Sequence, residues 1–250
     1  MQNTALVGLS RQVAIERELD VVANNIANIN TTGYKADGSL FEEYLSPSAR
    51  SDGSSGRISF VRDRGIWHDM SQGPVERTGN PLDVAVDGLG FLTVQTPNGV
   101  RYTRNGALQI NANGQLVTSD GYQVLGDGGP IALQPTDSQV SISRDGTISV
   151  REGNSNVDSK RGKLKVVTVD NPGALQKDGG STFNLTGNAE AKQVDGNIIQ
   201  GAVEKSNVRG VVEMSRMIEI TRTYTQIANM LQAQSDIRKS AIDKLSEIPS

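Results

Sequence analysis

Residues 211–248 contain neither glycine nor proline, and apolar side chains recur through them at steps of three and four. Met217, Ile220, Tyr224, Ile227, Leu231, Gln234, Arg238, Ala241, Leu245 and Ile248 form an unbroken series in which eight of ten are apolar. That spacing is the seam of a long helix with one sticky face. At ~1.5 Å per residue it would run about 57 Å. Ser206 or Asn207 can supply its N-cap, and Pro249 ends the pattern. The N-terminus mirrors it. Residues 1–30 hold no proline and one glycine, Gly8. Ile15, Leu19, Val22, Ile26 and Ile29 step by four and three, and Leu6, Leu9 and Val13 continue one position out of phase. A helix is expected from about residue 3 to 29, about 40 Å long. It should stop at Asn30-Thr31-Thr32-Gly33, where glycine accepts positive φ.

Two such stripes can close on each other as an intramolecular antiparallel hairpin, or each can await other chains. The lengths favour the second, because both helices overhang any compact domain built from the remaining residues. Gln234 and Arg238 within the seam point the same way, since polar seam residues fix a partner at a cost in stability. Ile15, Leu19, Val22, Ile26, Ile29, Met217, Ile220, Tyr224, Ile227, Leu231 and Leu245 are therefore expected to be buried between subunits.

The middle of the chain carries nearly all the glycine and proline. Asn98-Gly99, Asn105-Gly106, Asn113-Gly114, Asp120-Gly121 and Asp127-Gly128 recur every seven or eight residues, the composition of type I′ hairpin turns. Between them lie segments of strand character such as Phe91–Val94, Ala107–Ile110 and Tyr122–Leu125. Val140–Ser143 and Thr147–Val150 flank Asp145-Gly146, and Leu164–Val169 runs up to Asn171-Pro172-Gly173. Eight to ten short strands in a small barrel or sandwich follow. The fold class is α+β: long terminal helices around a central all-β domain. The expected boundaries are 1–30 for the first helix, 31–75 for an extended linker or hairpin, 76–206 for the β domain and 207–250 for the last helix. The linker contains the flexible run Ser51–Gly56 between strand-like pieces at Phe41–Leu45 and Ile58–Val61.

Composition closes several routes to function. Twenty-five basic and 28 acidic residues leave a net charge of −3, which is no nucleic-acid binder. With no cysteine and one histidine, disulfides, thiolate metal sites, cysteine nucleophiles and multi-histidine metal sites are excluded. The N-terminal apolar stretch is broken by Arg11, Glu16, Arg17, Glu18 and Asp20, so neither a membrane span nor a cleavable secretory signal is expected. His68 beside Asp69 has no nucleophile motif near it and reads as structural. Gly88-x-Gly90 lacks the third glycine of a dinucleotide site, and the loop from Asn28 has Ser39 where calcium needs a bidentate glutamate. Asp83, Asp87, Asp120 and Asp127 could serve glycoside hydrolysis only if they met in one cleft. No catalytic residue, cofactor site or metal site is assigned.

Three blocks, in order, resemble the flagellar rod and hook protein family. The first is Ala23-Asn24-Asn25-Ile26-Ala27-Asn28-Ile29-Asn30-Thr31-Thr32-Gly33-Tyr34-Lys35, similar to the family's N-terminal signature. The second runs from Thr78 to Phe91 and on through Tyr102–Gly106 and Gly114–Tyr122, and resembles its β domain. The third is Ser206-Asn207-Val208 with Glu213-Met214, Met217-Ile218 and Arg222-x-Tyr224, similar to its last helix. Leu125–Ile131, Gly162–Val167 and Asn171–Lys177 resemble the proximal-rod members more than the distal ones. Thr225, where the family often has Glu, and Gly210 in the first turn depart from the pattern. The resemblance implies a non-enzymatic subunit of the bacterial flagellar basal-body rod, in the periplasm, exported without a cleaved signal. Implied partners are copies of itself, other rod proteins and, during secretion, the flagellar export apparatus. The terminal helices would form a coiled-coil rod core, with no cofactor. The signature residues are Asn24, Asn25, Asn28, Thr32, Gly33, Tyr34, Ser206 and Asn207. The rival readings are a distal-rod relative, or a carbohydrate-active β domain that uses Asp83 or Asp87 and oligomerises through its helices.

Overall fold

A computed structural model describes residues 2–50, 57–153, 157–187 and 189–246, with the side chains of 2–5, 43–50, 57–63, 245 and 246 left aside. The expected flexible run 51–56 and the end at Ile248 and Pro249 lie outside the described residues. The class is α+β: an N-terminal helix, a β-rich centre and a C-terminal helix. The chain divides into two compact units. One comprises residues 1–27, 37–67 and 209–250, and the other residues 28–36 and 68–208.

In the first unit, α1 spans Gln2–Ala27 and α2 spans Gly210–Ser246. They run antiparallel. Gln12 Nε2 donates to the Tyr224 hydroxyl at 3.1 Å, Arg216 grips Glu18 at 2.6 Å, and Asn25 Nδ2 reaches Glu213 at 3.4 Å. Gly8 lies under Leu231, where a Cβ would come within 2.7 Å of its side chain. The apolar stripes close on each other, with Ile15, Val22, Ile220 and Ile227 buried and Leu19, Ile26, Met217, Tyr224 and Leu231 packed around them. Within the single chain these side chains thus cover one another. The third segment is a two-stranded hairpin, Asp37–Arg50 with Arg57–His68.

The helix start differs from expectation. Neither Ser206 nor Asn207 caps α2, which begins at Gly210 with the Glu213 amide donating to the Arg209 carbonyl at 3.0 Å. Asn207 has another task, described below.

The second unit carries more strands than the turn spacing suggested, seventeen among its described residues. Its main sheet has ten, centred on Phe91–Thr96, which pairs antiparallel with Gly99–Thr103, Gln123–Gly126 and Val166–Val169. Alternation of side chains splits the core in two. Leu92, Val94 and Val166 enter a cluster with Val84, Leu108, Leu116, Val124, Ile148 and Ile198. Phe91 and Val167 enter a smaller one with Leu175 and Phe183. A three-stranded sheet, Asp137–Ile142, Thr147–Glu152 and Asp158–Lys163, lends Ile142, Ile148 and Val150 to the larger cluster.

The turns are not type I′, because none of their Asn and Asp residues has positive φ; Gly99, Gly114, Gly121 and Gly146 do, whereas Gly106 and Gly128 do not. Gly114, Gly121 and Gly146 each donate their amide to the carbonyl three residues earlier, on Asn111, Thr118 and Ser143. That is a type I turn followed by left-handed glycine, the three-residue alternative with the same dipeptide signal. Asn105-Gly106 is not a hairpin turn at all. Gly106 accepts the Val84 amide at 2.9 Å, and a side chain there would overlap the Val84 carbonyl.

Candidate assembly site

The residues of the N-terminal signature converge on a knot in the β unit. Asn28 starts a turn, accepting from Thr31 at both backbone and side chain. Gly33 follows at φ +70 and donates its amide to the Glu204 carbonyl at 2.8 Å. A Cβ there would overlap the Arg104–Asn105 backbone, so only glycine fits. Tyr34 is 2% exposed and lies beneath Lys177, whose ammonium is 3.6 Å from the ring centre and donates to the Lys35 carbonyl. Asn207 runs alongside. Its Oδ1 accepts the Ala36 amide at 2.7 Å and its Nδ2 donates to the Asp69 carbonyl at 2.8 Å. The Ser206 hydroxyl accepts the Val208 amide at 3.3 Å. Thr32 is half-buried beside them.

At the centre is a charge cluster that the motif reading missed. Lys35 Nζ donates to Glu204 Oε1 at 2.5 Å and to the Ser71 carbonyl at 2.6 Å. Arg104 donates to Glu204 Oε2 at 3.1 Å and to the carbonyls of Val86 and Gly88. The Gly73 amide completes the shell of Oε1 at 3.0 Å. All three charged side chains are at most 1% exposed. Burial lowers the Lys35 and Arg104 pKa values, and Glu204 opposes this in both. Two cations therefore share one carboxylate, with the Arg104 guanidinium 4.9 Å from the Phe91 ring centre. Lys35 and Arg104 stood inside recognised blocks, but nothing in Ala202-Val203-Glu204 announces that its glutamate is buried on both faces.

The signature also reaches the helical unit. Asn25 is 1% exposed and reads both backbone groups of Asp37, accepting its amide and donating to its carbonyl, each at 2.8 Å. Asn24 is exposed. Of the proposed interface residues, nine form the seam described above. Ile29 is half-buried in the turn after α1, and the side chain of Leu245 lies outside the described set.

The outer faces of the helical unit stay apolar. Among the described residues, fourteen of the twenty exposed large hydrophobics belong to it. Leu6, Leu9 and Val13 line one flank of α1; Val211, Met214 and Ile218 line one flank of α2. The face formed by Met217, Ile218, Thr221, Arg222, Thr225 and Gln226 borders a shallow groove of about 510 Å³.

The carboxylates weighed for catalysis have ordinary partners. Asp83 accepts from Asn80, Asp87 from Asn197 and Asp127 from Gln193. His68 meets Phe183 edge-on at 5.8 Å. Among the described residues no cluster of His, Asp or Glu could hold a metal, and no helix is long and apolar enough to cross a membrane.

Comparison with known proteins gives three family matches in chain order. Residues 6–35 match the flagella basal body rod protein family, 85–150 the flagellar hook protein FlgE/F/G D1 domain, and 199–244 the flagellar basal body rod FlgEFG protein C-terminal family. The flagellar basal-body rod protein FlgF of Caulobacter vibrioides is 40% identical over 251 residues, covering 99% of this chain and 100% of that protein. FlgF of Mesorhizobium japonicum is 32% identical, over 98% of each chain. The flagellar basal-body rod protein FlgG of Agrobacterium fabrum is 32% identical over 93% of this chain and 94% of its own.

Proposed function

The chain belongs to the flagellar basal-body rod protein family, and on that premise we propose that it polymerises through the outer faces of its helical unit into the proximal part of the rod. It is a structural rod subunit of FlgF type, not an enzyme, and it works within the flagellar basal body together with other rod components.

The observation that carries the proposal is the distribution of exposed apolar side chains. Isolated exposed leucines need no explanation, but stripes on packed helices mark a contact surface. The seam from Ile15 to Leu231 builds the element; Val211, Met214 and Ile218 on one flank and Leu6, Leu9 and Val13 on the other meet neighbours. In that assembly the helical pair is one component of a coiled-coil core, and the β unit is read as a small barrel or sandwich. Contacts of this kind are heterologous and non-closing, so they extend a tube. Copies of the same chain and other rod proteins are the partners, reached through the flagellar export apparatus and assembled in the periplasm without removal of a signal. Leu125–Ile131 and Asn171–Lys177 favour the proximal over the distal position.

Replacing Met214 and Ile218 by Asp tests this. The monomer should keep its helical circular dichroism, while cells carrying the variant should lack rods and motility. Normal rods would remove the outer face of α2 from the assembly.

A further inference from the structure

We infer that the Gly33–Glu204 junction is a register pin: it sets how far α1 slides along α2, through two connecting arms of equal length. Gly33 lies six residues past the end of α1, and Glu204 six residues before the start of α2. The junction itself cannot slip. A shift of one residue would put Thr32 or Tyr34 at the φ +70 position, where a Cβ overlaps the Arg104–Asn105 backbone. It would also withdraw Lys35 from a fully buried carboxylate and leave Arg104 with an altered partner. Asn207, on the second arm, also accepts the Ala36 amide three residues past Gly33.

Slippage matters because a helix turns about 100° per residue. One residue of axial error carries a whole stripe out of its seam. The seam alone is weakly informative about register, since its apolar positions repeat and a slip of one heptad brings leucines and isoleucines back into contact. What distinguishes the observed register lies at single places: Gly8 under Leu231, Gln12 on Tyr224, Glu18 on Arg216 and Asn25 on Glu213. The last three are partly solvated polar contacts, too weak to exclude neighbouring registers by themselves. A buried ionic cluster is suited to the task, because its best-attested use is to specify one arrangement among several. The inference concerns the single chain and holds whatever the helices later assemble with.

The chain lacks cysteine, so a reporter can be placed cleanly. Full-length protein with Gly8→Cys and Leu231→Cys is oxidised and run without reductant, where an internal disulfide migrates faster. The parent should cross-link within the chain. One alanine inserted after Ala27, or one after Val208, should cut the yield about tenfold, because a single residue turns the reporter away. Both insertions together should restore it. Full cross-linking in either single insertion would mean that the seam chooses its own register, and would overturn the pin. Failure of the double insertion to recover would do the same, provided hydrogen exchange in Phe91–Thr96 shows the β unit intact. Lys35→Met keeps both arm lengths and loosens the junction, so it should convert part of the product to a Gly8→Cys/Tyr224→Cys cross-link, one heptad away; absence of that slipped product also counts against the pin.

Discussion

Glu204→Gln isolates the electrostatics of the knot with almost no change in volume. In the native chain Oε1 accepts from Lys35 and Gly73, and Oε2 accepts from Arg104. A glutamine can present its oxygen to Lys35 and Gly73, but its amide then faces the Arg104 guanidinium, donor against donor. Two buried cations lose their shared countercharge. Breaking a buried pair by removing one partner costs about 3–5 kcal/mol. For a unit of this size, about 4 kcal/mol corresponds to a fall in melting temperature of roughly 8–16 °C. The cost has a pH signature. Burial already holds Lys35 below its usual value of 10.5, and Glu204 is the largest influence opposing that. Without Glu204 the folded state releases the Lys35 proton sooner, while the unfolded chain keeps its proton up to 10.5. The unfolded state then binds more protons, so stability rises with pH and the deficit narrows between neutrality and that value. The assay is native-state hydrogen exchange of the slowest amides in Phe91–Thr96 across that pH range. A loss under about 1 kcal/mol, or a deficit that widens with pH, would refute the account.

Ile227→Ala removes a buried seam side chain and should cost about 2–5 kcal/mol of helical-unit stability, seen as an earlier loss of ellipticity at 222 nm. Ile227→Asp should abolish rod growth and leave hydrogen-exchange protection in the β unit unchanged. Asp137 is held below the ordinary carboxylate range first by hydrogen bonds from Arg161. Its contribution is present above the unfolded value near 3.8 and should fade as pH falls through the lower folded value, read as rising exchange in Thr147–Glu152. Gly106→Ala should unsettle the edge formed by Val84–Asp87, measured as faster exchange of the Val84 amide.

The sequence spoke clearly where one principle dominates. Absence of glycine and proline with a three-four step located both helices within a few residues, because backbone propensity and packing agree there. The resemblance in Asn24–Lys35 and Ser206–Val208 marked segments that the fold does bring together. Other features depended on information a local window lacks. Asn-Gly and Asp-Gly fit two turn geometries, and the flanking strands decide between them. Asn207 has the composition of an N-cap, yet tertiary hydrogen bonds to Ala36 and Asp69 engage it instead. Glu204 looks like any strand glutamate until residues 35 and 104, far away in the chain, supply its cations. The partner of each helical stripe is outside such a window for a related reason: periodicity reveals that a face is buried, never by what.

The hairpin Asp37–Arg50 and Arg57–His68 has one more implication. Its root is clasped in the β unit, where the Asp69 amide donates to the Ala36 carbonyl at 2.8 Å and Asn207 holds both flanks. Whatever lies between residues 36 and 69 is a closed detour whose ends are fixed independently of its length. Closing a loop twice as long costs only about 0.6 kcal/mol more. Beyond Asp37, which Asn25 holds, the hairpin is therefore a graft point: residues can be added or exchanged there while the junction and the arms stay as they are.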